Sequence, residues 1–131
     1  MTNPSLYRDD SRVRHMIAAI ERILDVSREM TRADLVGSER DTESILFNLT
    51  ILGEAANNIS DEFAAANPEV DWKDISGVRH KIVHDYADID YDIIWQIIKG
   101  DVPNAYAQLQ KIAKTLPPEP TEPPENMGDF L

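Results

Sequence analysis

The alternation of apolar and polar residues follows a helical period along most of the chain. Over residues 9–30, apolar side chains recur at three- and four-residue spacings, which predicts an amphipathic helix. A second helix is predicted over residues 39–65, because its apolar positions alternate steps of four and three. Those positions are Ile45, Leu49, Leu52, Ala56, Ile59 and Phe63. Gly53 and the alanines that follow it would allow a neighbouring backbone to approach closely.

Three shorter helices are predicted in the second half of the chain. The first would run over residues 72–84 or just beyond, and the next over residues 91–99, with Gly100 as its end. The last would open at Asp101 and continue to about residue 116. No strand pattern of useful length appears, so the predicted fold class is all-α, a four- to five-helix bundle.

The composition changes abruptly where the last predicted helix stops. Five prolines lie between Pro117 and Pro124, interspersed with glutamates and a threonine. Residues 117–131 are therefore predicted to form a Pro/Glu-rich tail that is extended or disordered. We expect one helical domain over residues 1–116, because 131 residues leave room for little else.

The charge and the composition narrow the possible functions. The formal net charge is −11, so an RNA partner would have to meet a local basic site. The chain contains no cysteine, which excludes disulfides, thiolate chemistry and Cys-based zinc sites. No apolar run reaches the roughly 20 residues that cross a bilayer, and the first ten residues lack the apolar stretch of a signal peptide. We therefore expect a cytoplasmic protein without a membrane partner.

Residues 74–86 reverse the negative charge locally. This segment contains the cations and proton-transfer groups Arg79, His80, Lys81 and His84, followed by Tyr86. Arginine is a permanent cation whose donors match phosphate oxygens, and histidine exchanges protons near neutral pH. Such a pair can cleave RNA without a metal, because Arg79 can neutralise the phosphate while His84 moves a proton.

The spacing within this segment resembles a known family. Arg79, four residues, His84, one residue and Tyr86 reproduce the R-x4-H-x-Y motif of the HepT-like toxins of the HEPN superfamily. The resemblance extends over about residues 7–116, and residues 53–55 of the second predicted helix resemble the family's other recognisable stretch. The position after the arginine is a histidine here, whereas many relatives have asparagine or another polar residue.

The resemblance implies a HEPN-like bundle that forms a symmetric homodimer around a shared cleft. It also implies the toxin of a HepT/MntA toxin–antitoxin system, a metal-independent endoribonuclease with Arg79 and His84 as catalytic residues. Its MntA-type nucleotidyltransferase antitoxin would use ATP to transfer AMP onto Tyr86, so the chain itself would need no cofactor. We expect supporting or phosphate-binding roles for three further residues, His80, Lys81 and Glu54.

A straight helix through the motif raises a geometric problem. At about 100° per residue, Arg79 and Tyr86 would lie within about 20° of each other, but His84 would lie about 140° from Arg79. The helix could distort near its end, the long arginine could reach around it, or a dimer could complete the site. We prefer the dimer, because two copies of the basic residues would then share one cleft.

Less specific interpretations stand beside these roles. Arg79 could simply pair with one of the many carboxylates of the chain, such as Asp74 or Asp85. Glu54 could be a buried polar partner of Arg79 or a surface residue, and we favour the buried partner. His15, together with two neighbouring arginines, is interpreted as part of a solvated helix face, where a secondary RNA contact is conceivable.

The alternative function is that of a non-catalytic HEPN module that binds nucleotides or RNA and acts through its protein partner. In that case Tyr86 would accept AMP and Arg79 would contact the nucleotide phosphate. Tyr86 also fits a half-buried core position with its hydroxyl at the edge. A metal site at His80 and His84, four residues apart, would need a third ligand that the sequence offers only as a carboxylate, so we expect no metal.

Overall fold

The structure is a computed structural model that describes the backbone of residues 4–85 and 88–118. Side chains are described for residues 9–82 and 88–118. Tyr86 and the predicted tail from residue 119 onward lie outside the described residues. Within the described part, helices dominate, which confirms the prediction of an all-α bundle. None of the helices described combines the length and the apolar character that crossing a bilayer requires.

The helices and strands follow one another with short connections. The first half of the chain comprises α1 (Pro4–Ser27), α2 (Arg32–Gly37), α3 (Glu39–Asn57) and α4 (Asp61–Ala66). The second half comprises α5 (Trp72–Ser76), α6 (Val78–Ile82), β1 (Val83–Asp85), β2 (Asp88–Ile89), α7 (Tyr91–Gln96), a π-helical turn (Ile97–Asp101) and α8 (Val102–Ala113). The two strands form a small antiparallel sheet, a feature that the sequence did not predict.

The core lies between α1 and α3, and α8 and the π-helical turn also pack against α1. All six apolar positions predicted for the second helix are buried. They meet a fully buried row on α1 that consists of Val13, Met16, Ala19, Ile20 and Ile23. Removing each large apolar side chain from water stabilises the fold by roughly 1.5–3 kcal/mol.

The second predicted helix is interrupted, which corrects the expectation of one helix over residues 39–65. Its long part, α3, ends at Asn57, and α4 begins after Ser60. The Ser60 hydroxyl accepts a hydrogen bond from the Phe63 amide (3.1 Å), so it caps the N-terminus of α4. The carboxylate of Asp9, which is buried, accepts hydrogen bonds from the Ser60 amide (2.8 Å) and hydroxyl (2.6 Å). This contact fixes the interruption against α1.

The helical segments over residues 91–113 are continuous, so the prediction that Gly100 ends a helix is wrong. A glycine that ends a helix usually adopts a positive φ. No glycine in the described part of the chain does so. The chain passes through Gly100 in the π-helical turn, and Ile97, Ile98 and Val102 stay buried on both sides of it. The wider turn therefore joins α7 to α8 while both keep their apolar sides in the core.

Candidate active site

The segment that carries the motif arginine folds as two short helices rather than one. The Asp71 carboxylate accepts a hydrogen bond from the Asp74 amide (3.0 Å) and so begins α5, which ends before Gly77. In α6, Val78 and Ile82 are one turn apart and both buried. The three residues between them, Arg79, His80 and Lys81, are exposed. The buried pair thus fixes α6 to the core and turns its basic residues outward.

Gly53 lets this segment lie directly against α3. A Cβ atom at Gly53 would lie 3.3 Å from the Ile75 carbonyl oxygen and 3.5 Å from the Ser76 carbonyl oxygen. It would also lie 3.5 Å from a methyl carbon of Val78. Only a residue without a side chain fits here without displacing backbone. The predicted close approach at Gly53 is therefore confirmed, and it brings α6 beside α3.

Arg79 lies in a groove of about 200 Å³ between α6 and α3, which we call the Arg79 groove. Its other walls are formed by Leu46, Phe47, Leu49, Thr50 and Ile82. The walls are mostly apolar, and the Phe47 side chain is 65% exposed. A guanidinium beside apolar walls is less screened by water than one on a flat surface, so it attracts an anion more strongly.

The Arg79 guanidinium has no hydrogen-bond or ion-pair partner among the described residues, and the interpretation that it pairs with Asp74 is wrong. Asp74 is instead bonded to Lys81, whose Nζ donates to the Asp74 Oδ1. The side chain of Asp85, the other suggested partner, lies outside the described residues. With respect to the described residues, the donors of Arg79 remain available to a ligand.

The motif does not lie on one helix, because α6 ends at Ile82. The Ile82 carbonyl accepts a hydrogen bond from the Asp90 amide (2.9 Å), so it is not available to continue the helix. The His84 backbone belongs to β1, in which Val83 pairs with Ile89 and Asp85 with Asp88. The prediction of a helix over residues 72–84 is therefore wrong.

The change of backbone at Ile82 also removes the geometric problem of a straight helix. The helix ends at Ile82, as in the first of the three solutions considered, and completion of the site by a dimer stays a prediction. The helical spacing of His80 and His84 on one face does not apply either. The side chain of His84 and all of Tyr86 lie outside the described residues, so their positions in the site stay predictions.

Glu54 is exposed, and the interpretation that it is a buried partner of Arg79 is wrong. It lies on a second groove, of about 500 Å³, between α1 and α3. We call this the α1–α3 groove. It is lined by Ser11, Arg12, His15, Thr50, Ile51, Glu54, Ala55 and Asn58. His15, assigned to a solvated face, thus lines a concave site.

Phe47 and Thr50 had no role in the sequence analysis, although both line the Arg79 groove. For Phe47 a signal existed, because it is an aromatic residue outside the apolar stripe of its helix. Thr50 gave no comparable signal. The motif spacing therefore indicates the charged residue of this groove, but no sequence pattern singled out its walls Leu46, Phe47 and Thr50.

Comparison with known proteins gives the family. Residues 16–112 match the model of the family described as Ribonuclease HepT-like. The chain belongs to the HepT-like ribonuclease family. The match extends from α1 to α8 and includes the whole R-x4-H-x-Y motif, which confirms the resemblance found in the sequence and its assignment to a class of ribonucleases.

Individual relatives agree with this assignment. The chain is 30% identical over 96 residues to the probable ribonuclease HepT of Thermococcus cleftensis, which covers 73% of this chain and 87% of the relative. It is 31% identical over 98 residues to a protein of Caldanaerobacter subterraneus subsp. tengcongensis that is provisionally named as an RNase. This alignment covers 75% of this chain and 88% of the relative. A similarly named protein of Methanocaldococcus jannaschii is 31% identical over 94 residues. This alignment covers 72% of this chain and 78% of the relative. No solved structure matches the chain.

Proposed function

We propose that the chain is the ribonuclease toxin of a toxin–antitoxin system and that Arg79 and His84 cleave its RNA substrate. The 2′-hydroxyl attacks the adjacent phosphorus and its proton passes to a base. The bond from phosphorus to the 5′-oxygen then breaks, which leaves a 2′,3′-cyclic phosphate and a 5′-hydroxyl. Arg79 would stabilise the charge on the non-bridging oxygens, and His84 would move one of the two protons.

The guanidinium of Arg79 is exposed on a turn that is anchored to the core, and it has no partner among the residues whose side chains are described; this observation carries the proposal. A fixed donor is effective because it needs no reorganisation when charge develops on the phosphate. His80 is exposed beside it and could contact a neighbouring phosphate. We also propose that the reaction is metal-independent, with Arg79 supplying the charge that a cation would otherwise provide.

We further propose that the active unit is a homodimer in which the Arg79 groove faces a second copy of the chain. Phe47 supports this, because a largely exposed phenyl ring beside apolar walls is typical of a surface that a protein partner covers. Two Arg79 grooves would then share one cleft. The basic residues of both copies would offset the repulsion between RNA and an acidic chain.

Neutralisation by an MntA-type nucleotidyltransferase belongs to the same proposal. The Tyr86 hydroxyl would attack the α-phosphorus of ATP, lose its proton and release pyrophosphate. The attached AMP would place a negative phosphodiester two residues from His84. Because this group is itself a phosphodiester, it would compete with RNA for Arg79.

The test is RNA cleavage by the purified chain, compared with Arg79→Ala and His84→Ala. Loss of one stabilising donor is expected to slow cleavage about 100- to 1000-fold. Arg22→Ala is the matched control, because Arg22 is exposed on α1 and lines neither groove, so it reports the effect of net charge alone. Equal cleavage by the wild type and all three variants would reject the nuclease proposal.

Two additional arms separate the remaining parts of the proposal. Cleavage that survives a chelator supports independence from metals, whereas cleavage that needs added Mg²⁺ contradicts it. Incubation with the nucleotidyltransferase and ATP should add AMP to Tyr86 and stop cleavage. If AMP is added but the wild type cuts no RNA, the chain is instead a regulatory module.

A further inference from the structure

The α1–α3 groove has a volume of about 500 Å³, compared with about 200 Å³ for the Arg79 groove, and the cleavage mechanism does not use it. Its two walls differ in chemistry. The α1 wall contributes Arg12 and His15, which can donate hydrogen bonds. The α3 wall contributes Glu54 and Asn58, and the floor includes the apolar side chains of Ile51 and Ala55.

The acceptors of the α3 wall are kept available by a contact within the helix. The Asn58 amide nitrogen donates to the Glu54 main-chain carbonyl (2.8 Å). Its amide oxygen therefore remains as the group that a ligand can use. The Glu54 carboxylate and the Arg12 guanidinium have no hydrogen-bond partner among the described side chains. Donors on one wall thus face acceptors on the other.

The α1–α3 groove and the Arg79 groove are neighbours on α3, because they share one lining residue. Thr50 lines both, and Glu54 lies one helical turn farther along α3. The Thr50 hydroxyl donates to the Leu46 carbonyl of its own helix (2.9 Å), so it is already satisfied where the two grooves meet. A chain-like ligand with one phosphate at Arg79 can therefore continue past Thr50 without meeting an unpaired polar group there.

We propose that the α1–α3 groove binds a nucleotide of the same single-stranded RNA, next to the cleaved bond. The nucleotide's phosphate would contact Arg12 and His15, because Glu54 repels it from the opposite wall. The base would lie on Ile51 and Ala55, and its amino group or the ribose hydroxyl would donate to the α3 wall. This inference rests on the proposed function and extends it to the choice of substrate.

The shape and the chemistry of the groove favour an unpaired strand. Sequence-tolerant contact between a base and an apolar surface requires a base that is not paired in a duplex. A chain with net charge −11 cannot hold RNA by long-range attraction, so it needs contacts at several adjacent nucleotides. A second subsite beside Arg79 would provide such contacts.

The first experiment measures the binding of a fully 2′-O-methylated single-stranded oligonucleotide, which cannot be cleaved by 2′-hydroxyl attack. Arg12→Gln is compared with Arg22→Gln, because each variant removes one cation from α1. Arg12 is half-buried and lines the α1–α3 groove, whereas Arg22 is exposed and lines neither groove. Arg12→Gln should weaken binding about tenfold and lower the salt slope by about 0.7. Arg22→Gln should leave both quantities near wild type.

Equal effects of the two substitutions would overturn the subsite, since net charge alone would then explain them. The subsite would also be overturned if the wild type is a dimer and Arg12→Gln loses both oligonucleotide binding and dimerisation. The groove would then be a contact between protein chains. Circular dichroism of both variants checks that they fold as the wild type does.

The second experiment uses the length of the substrate. A dinucleotide contains the cleaved phosphate but does not extend into the α1–α3 groove, whereas a hexanucleotide does. Arg12→Gln should therefore raise KM about tenfold for the hexanucleotide and leave dinucleotide cleavage unchanged. Equal slowing of both substrates contradicts the subsite. If the wild type cleaves neither, the nuclease proposal fails, while the binding experiment still decides whether the groove holds RNA.

Discussion

The inward and outward sides of α6 have opposite surroundings, although the helix is only five residues long. On the inward side, Val78 and Ile82 are buried against α3 beside Gly53. On the outward side, Arg79 and Lys81 are exposed. Apolar contact on the inward side sets the position of the turn, and the outward side presents the charged side chains to which the proposed function assigns the chemistry.

The outward side is itself not uniform. Lys81 is paired with Asp74, whereas Arg79 has no ionic partner in the described part of the structure. Lys81 therefore has a carboxylate beside it, and the motif arginine has none among the described residues. This difference between two neighbouring cations supports the proposed phosphate contact of Arg79, and the sequence of the segment does not contain it.

The largest effect is expected from Phe47→Ser. Phe47 lies on α3 and lines the Arg79 groove beside the outward side of α6, so this variant tests what covers that groove. If a second copy packs on Phe47, its loss should weaken the dimer by about 2–4 kcal/mol, as for a central interface residue. The dissociation constant would then rise at least about 30-fold. Sedimentation equilibrium over a range of concentrations measures it.

Val36→Ser is the matched control for this experiment. Val36 is 61% exposed and lies on α2, away from the Arg79 groove. Its loss should not change the association. A wild-type chain that sediments as a monomer at every concentration would show that no second copy covers Phe47, as would equal dissociation constants for the two variants.

A smaller effect is expected from Gly53→Ala, which tests the inward side. Alanine raises helix propensity by about 1 kcal/mol, but here its methyl group would press on the Ile75 carbonyl. Gly100→Ala gains helix propensity too, without a contact within 4 Å. Gly53→Ala should therefore be less stable than Gly100→Ala by about 1–3 kcal/mol in urea unfolding. Equal stabilities would mean that α5 and α3 do not approach as closely as described.

The long helices and the core could be predicted from the sequence, because their apolar periods extend over many turns. The stripe on α3 and the partner row on α1 illustrate this. The breaks could not be predicted in the same way. The gap after Asn57 depends on Asp9, a residue about fifty positions away that binds Ser60. The helix likewise continues through Gly100 because Ile97, Ile98 and Val102 are buried in the core on both sides of it.

The candidate site shows the same limit. The motif spacing pointed to Arg79 directly, because it depends on local sequence alone. The end of α6 coincides with a hydrogen bond from the Asp90 amide to the Ile82 carbonyl, which lies beside the small sheet and outside the reach of a local pattern. The burial of Glu54 was predicted wrongly. Both α1 and α6 pack on α3, and which residues of α3 they cover decides whether Glu54 is buried or exposed. Helical period alone does not determine which residues they cover.

The smallest effect is expected at the pair formed by Lys81 and Asp74, and it tests whether the outward side contributes to stability at all. Both side chains are about two-fifths exposed, at 43% and 41%, so water and salt screen their attraction. A double-mutant cycle with Lys81→Met and Asp74→Asn should give a coupling below about 1 kcal/mol that decreases further in 1 M salt. A coupling well above that value, insensitive to salt, would mean that the pair helps to hold α6 in place, and the division between an anchoring side and a chemical side would no longer apply.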